Sequence, residues 1–173
     1  PCRVDANTHK VLDAFAEHGV KGTFFMLGWV AQRYPELVRR LVAEGHEIAS
    51  HGYDHIRVNG FDRDQLREDL LRTKGLLEQI AGVAVLGYRA PSYSIGERNL
   101  WALDVLQETG HVYSSSIYPI RHDLYGMPEA PRFAFRVRPG AILEIPVTTV
   151  RVNGRNLPAG GGGYFRLMPY GLY

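Results

Sequence analysis

An alternation constrains this chain more than any other feature: segments with helical apolar spacing are interleaved with short apolar runs of strand length. Helices are expected over about 7–18, 30–44, 62–80 and 97–108, and strands over 22–27, 47–50, 86–89, 112–115 and 143–147. Asp5 to Thr8 supplies capping residues for the first helix, and Gly45-His46 stops the second. Leu66, Leu70, Leu71, Leu77 and Ile80 mark the core face of the third helix, and Leu100, Leu103 and Leu106 that of the fourth. Short apolar strands separated by helices pair in parallel and are covered on both faces. Such units close either as an open doubly wound sheet or as a barrel, and the pattern alone does not choose.

Composition narrows the function classes. With 173 residues, 45% of them hydrophobic, one substantial core is expected and a single domain follows. Twenty basic residues against 18 acidic ones give a net charge of +2, a balance that points away from nucleic acid and from an anionic membrane surface. The one cysteine, Cys2, cannot form an internal disulfide. No run approaches the roughly 18 apolar residues of a transmembrane helix, and no signal-peptide pattern opens the chain. The compartment stays open, and the oligomeric state is open as well.

Chemistry is concentrated in Ser50-His51-Gly52-Tyr53-Asp54-His55, which follows an expected strand. Two imidazoles four apart on a turn leaving a strand can reach one divalent ion, and carboxyl ends of strands are where α/β proteins carry their sites. A hydrolytic centre of this kind, with zinc as the expected ion, leaves a coordination position for water. The same pair also suits a metal-free site in which the histidines only hydrogen-bond. Arg89 ends another expected strand just before Ala90-Pro91, where its planar fork can hold a carboxylate. Pro91 fixes the next turn, the Ser92 N–H is suited to a developing oxyanion, and the Tyr93 ring offers an apolar wall to a ligand. Farther along, His122 and Asp123 lie in a polar, aromatic loop and are candidates for general acid and sugar contact. The run Gly160 to Gly163 lacks the Lys-Ser or Lys-Thr of a phosphate loop and reads instead as a close backbone approach to a ligand or as a tight rim loop carrying Tyr164 and Phe165 into the site.

The run from Thr23-Phe24-Phe25 through Gly45-His46-Glu47-Ile48-Ala49-Ser50-His51 to His55 resembles the polysaccharide deacetylase (NodB-homology, carbohydrate esterase family 4-like) family. Gly87-Tyr88-Arg89-Ala90-Pro91 resembles its arginine motif. Ser114 to Asp123 and Pro158 to Phe165 are similar to the branch associated with exopolysaccharide export and exosortase systems. The resemblance implies an irregular (β/α) barrel of seven or fewer strands, here without its first. It implies hydrolysis of N-acetyl groups on a polysaccharide, a divalent metal on His51 and His55, and a catalytic-base carboxylate positioned by Arg89. In the family an Asp-rich first strand supplies that base and a third ligand. The 173 residues are therefore expected to be a truncated and inactive fragment. A cyclic-amide hydrolase of the allantoinase-like branch and a non-catalytic carbohydrate-binding module are the alternatives. The late histidine of the family is absent from Leu143-Glu144-Ile145-Pro146-Val147, which leaves His122 as candidate acid.

Overall fold

In the computed structural model, residues 3–160 are described. The chain runs α1 (Val4–Glu17), β1 (Thr23–Met26), α2 (Gly28–Arg33), α3 (Pro35–Ala43), β2 (Glu47–Ser50), α4 (Arg63–Ala81) and β3 (Gly87–Tyr88). It continues through α5 (Trp101–Glu108), β4 (Tyr113–Ser114), β5 (Leu143–Glu144), β6 (Thr149–Val152) and β7 (Arg155–Pro158). Strands β1 to β5 form one parallel sheet in sequential order. A doubly wound sheet would reverse its strand order at a switch point; here each strand pairs with the next in sequence, as in a (β/α) barrel.

The register lines up Met26, Ser50, Tyr88, Ser114 and Glu144 across the sheet. Backbone bonds carry the alignment one residue further, with His51 N–H donating to Met26, Arg89 to Ser50, Ser115 to Tyr88 and Ile145 to Ser114. The residues leaving the strands thus share one level, and the sheet delivers His51, Arg89 and Ser115 side by side.

Several elements depart from the sequence expectation. The helix expected over 30–44 is two helices, broken at Tyr34 (φ −129°, ψ 62°), because Pro35 disfavours helical backbone in the residue before it. The segment 97–108 begins as a 3₁₀ turn, Glu97–Asn99, before α5. Thr8 lies inside α1, its hydroxyl donating to Val4 O one turn back, so Asp5 to Thr8 is helix rather than cap. Leu71 is 52% exposed, whereas Leu66, Leu70 and Leu77 are buried. The expected strands at 86–89, 112–115 and 143–147 pair over only two residues each, Gly87–Tyr88, Tyr113–Ser114 and Leu143–Glu144. The β6–β7 hairpin was not expected, although Asn153 (φ 47°) and Gly154 (φ 77°) form the Asn-Gly pair that a two-residue hairpin turn favours.

Two buried clusters hold the sheet. One joins Leu12, Leu37, Leu41 and Ile48; the other joins Leu66, Leu70, Tyr88, Leu103 and Leu106. His46 is buried between Phe15 and Phe24, and its Nδ1 accepts the Gly22 N–H at 3.2 Å. His111 is buried beside Tyr88 and meets the Thr109 hydroxyl at 3.1 Å. Burial, with Lys74 adding to it, lowers the His111 pKa to about 4. The folded state therefore holds this ring neutral while the unfolded chain takes up a proton below about pH 6.5. The stabilisation is fully present above that pH and is lost as the pH falls toward 4. Between pH 7 and 4.5, His111 is expected to cost about 2–3 kcal/mol of stability. Urea midpoints for wild type and His111→Leu measure it: the variant should lose less stability over that range, and parallel losses would mean the ring is protonated in the fold.

Candidate active site

The loop after β2 is held from two sides. Gly28 N–H donates to Gly52 O and Trp29 N–H to Tyr53 O, while Tyr53 N–H donates to Asp69 Oδ1 on α4 at 3.2 Å. A side chain at position 28 would collide with the Tyr53 ring, so glycine there lets the loop lie against α2. Gly52 takes φ 74° and His55 φ 62°, a left-handed conformation uncommon for a non-glycine residue. The loop so bent brings the His51 and His55 ring centroids to 5.1 Å.

His51 Nδ1 lies 2.7 Å from Arg89 O. A carbonyl only accepts, so Nδ1 carries the proton and Nε2 keeps its lone pair, the arrangement that prepares a metal-ligating imidazole. Burial lowers the His51 pKa, favouring the neutral ring that a metal requires. The pair fits a divalent ion as two of its ligands. Among the described residues no group of three or more His, Cys, Asp or Glu side chains comes together, so these residues supply two protein ligands rather than a full set.

Arg89 lies over the Phe25 ring at 4.1 Å, and its fork holds the next strand end: Nε donates to Ser115 O at 2.9 Å and Nη2 to Ser115 Oγ at 2.6 Å. No carboxylate among the described residues forms an ion pair with it, although Glu144 acts on it electrostatically. Arg89→Lys is therefore expected to lower stability by about 1–3 kcal/mol as well as turnover, because a single ammonium cannot reproduce both bonds. Thermal unfolding and initial rates measured together check this; unchanged stability with lost turnover would leave Arg89 only the role of holding the base carboxylate.

After Arg89 the chain turns through Pro91–Tyr93, with Tyr93 N–H donating to Ala90 O. Ser92 (φ 55°) and Tyr93 (φ 51°) are consecutive left-handed residues, strain of order 1–3 kcal/mol each at the rim of the site. Ser94 secures the turn, its hydroxyl donating to Pro91 O and accepting Val58 N–H.

The resulting cleft, about 450 Å³, is lined by His51, His55, Arg89, Ser92 and Tyr93 together with Thr23, Phe24 and Phe25. Pro91, expected at the substrate, is buried and does not line it. His122 and Asp123 do not line it and are exposed. His122 stacks on Tyr125 at 3.9 Å and accepts the Leu124 N–H at Nδ1; Tyr125 in turn meets Tyr93 at 5.8 Å. His122 thus touches the site only through two tyrosine rings. Tyr164 lies outside the described residues.

Two supporting residues were missed from sequence. Glu144, fully buried, accepts Ser116 N–H at 2.7 Å and Ile117 N–H at 2.8 Å through Oε1, tying down the segment that carries Ser115. Burial raises its pKa, and Oε2 has no hydrogen-bond partner among the described residues. A charged residue inside the apolar run 141–147 was the available signal. Phe25 was seen only as strand, with no signal that it would lie beneath a guanidinium.

These features define an α/β protein of barrel type with a polar, imidazole-bearing cleft at the carboxyl ends of its strands. Residues 2–114 match the model of the polysaccharide deacetylase family, and residues 115–173 match a domain of unknown function, DUF3473. The chain belongs to the polysaccharide deacetylase family. It is 38% identical over 98 residues to a peptidoglycan-N-acetylglucosamine deacetylase of Bacillus cereus, covering 56% of this chain and 36% of that protein. It is 31% identical over 111 residues to a chitooligosaccharide deacetylase of Sinorhizobium fredii, covering 64% and 49%. These matches span between about a third and a half of the relatives' length. Among solved structures, a Mycobacterium smegmatis protein provisionally described as a polysaccharide deacetylase superposes with TM-score 0.66 at 33% identity, over 90% of this chain and 51% of that one. Puue allantoinase superposes with TM-score 0.65 at 27% identity, over 82% and 43%.

Proposed function

We propose that the whole protein removes acetyl groups from N-acetylated sugars of a polysaccharide, using a divalent metal, zinc, held in part by His51 and His55. The observation that carries this is the paired imidazoles at the end of β2, with the His51 Nδ1–H committed to Arg89 O. Family membership and the named activities of the Bacillus and Sinorhizobium relatives support the same reading. We extend the substrate to an exported polysaccharide on the resemblance of Ser114 to Asp123 and Pro158 to Phe165 to that branch.

His51 and His55 would hold the divalent ion, which would supply Lewis acidity for the amide carbonyl and for the attacking water. The chain's own residues bind and orient. Tyr93 offers an apolar face to a pyranose ring. The Ser92 N–H, which takes no part in the bond closing its turn, is the donor for the oxyanion. Arg89, braced on Ser115 through Nε and Nη2, keeps Nη1 for the carboxylate that serves as catalytic base.

Acetate release from N-acetylglucosamine oligomers by the whole protein tests the proposal. Release that is abolished by chelation and restored by zinc is the expected result. Hydrolysis of a cyclic ureide without acetate release, or glycan binding without either reaction, would overturn it.

A further inference from the structure

A second cavity, about 830 Å³, opens between the loop 119–133 and the β6–β7 hairpin and shares no lining residue with the His51 cleft. Arg121, Arg132, Arg151 and Arg155 line it, with Glu129 the one acid on its wall. None of the four forms an ion pair with an acid among the described residues, whereas Arg39, Arg40, Arg63, Arg67 and Arg138 each do. An arginine-rich face is commonly just a solvated surface; three features separate this one from that. Arg132 is anchored, with Nε 3.1 Å from Thr149 Oγ1 and Nη2 2.6 Å from Thr149 O, and it lies over the Phe133 ring at 5.6 Å. Phe133 itself is 77% exposed, more than any other large apolar side chain among the described residues. The small net charge also hides a division: residues 1–114 carry 13 basic and 15 acidic side chains, and residues 115–173 carry 7 basic and 3 acidic.

We propose that this groove binds an anionic stretch of glycan, sugar units bearing carboxylate or phosphate, as an anchoring site separate from the cleft. Guanidinium forks match both anions bidentately, and an exposed phenyl ring offers the apolar face that a pyranose covers. Arg151 and Arg155 of the hairpin meet Arg121 and Arg132 of the loop in this groove. The groove also adjoins the cleft: Pro119 and Ile120 line it, and the preceding Tyr118 packs on Tyr93 of the cleft at 5.4 Å. A polymer held by the arginines would therefore run toward the residues placed above as the deacetylation site. The choice of a glycan over nucleic acid rests on that function.

Calorimetric titration of the whole protein with an oligogalacturonate, a mannose-phosphate polymer, a neutral chito-oligosaccharide and single-stranded DNA tests the proposal. Binding of the carboxylate or the phosphate glycan is expected, and whichever binds identifies the anion. The R151A/R155A variant should bind it at least roughly tenfold more weakly, with a shallower salt dependence, while turnover of a short neutral oligomer is unchanged. Both arginines are exposed, so folding should survive, and the circular dichroism melt checks it. Binding by the variant equal to wild type, no binding of either anionic glycan, or tighter binding of DNA than of both would overturn the proposal. H51A should retain the glycan affinity; glycan binding without acetate release would overturn the enzymatic reading and leave the groove standing.

Discussion

Replacing His51 or His55 by alanine in the whole protein is expected to lower its affinity for a divalent ion by at least about 100-fold and to remove acetate release with it. Losing a supporting hydrogen bond to a metal-ligating histidine already costs 10- to 100-fold, so losing the ligand itself must cost more. The two positions should differ in a second respect. His51 is half-buried and bonded to Arg89 O, so its loss also frees the turn that carries Pro91. His55 is exposed and adopts a left-handed backbone, where His55→Gly should relieve strain while removing the ligand. Metal content after dialysis, measured beside thermal stability, separates these effects. Stoichiometric metal at normal affinity in both alanine variants would sink the assignment.

The largest effect on stability is expected at Glu144. Glu144→Ala strips the acceptor from two backbone donors, Ser116 N–H and Ile117 N–H, which sit in the interior, and should cost about 3–5 kcal/mol. Glu144→Gln keeps an oxygen for both donors and should cost far less. The pH dependence separates the two forms further. Burial raises the folded pKa, so the wild-type carboxyl contributes most in the ordinary carboxylate range and below, and its contribution declines as the pH rises through the folded value. Glutamine cannot titrate, so that decline should vanish in the Gln variant. Chemical denaturation across mildly acidic to neutral pH checks both statements. A cost below about 1 kcal/mol for the alanine variant would mean that water or another group satisfies the two donors.

The local pattern carried much of the fold. Alternating apolar periods announced helix and strand in the right order because amphipathicity is a local property, set by which face of each element is buried. The break at Tyr34 was also locally legible, since the restriction that proline places on its predecessor needs no tertiary contact. So was the hairpin at Asn153-Gly154, because that pair adopts the two-residue turn through its own backbone preference. Leu71 shows the limit of periodicity: a leucine at the margin of an apolar stripe is buried or exposed according to what packs there, and this one is left half exposed.

For the site, His51, His55, Arg89, Ser92 and Tyr93 were found by residue type at strand ends, and all five line one cleft. Sequence by itself determined the order of elements, the parallel pairing and which side chains had metal-binding or anion-binding chemistry to offer. Only the tertiary structure decided that the strands follow one another without reversal and that one register sets His51, Arg89 and Ser115 at a common level. It alone buried Glu144 against two backbone donors and gathered four dispersed arginines around one groove. The physical reason is the range of the interactions. Propensity and periodicity act over a few residues, whereas register, burial of a charge and the meeting of separate loops depend on contacts between distant parts of the chain.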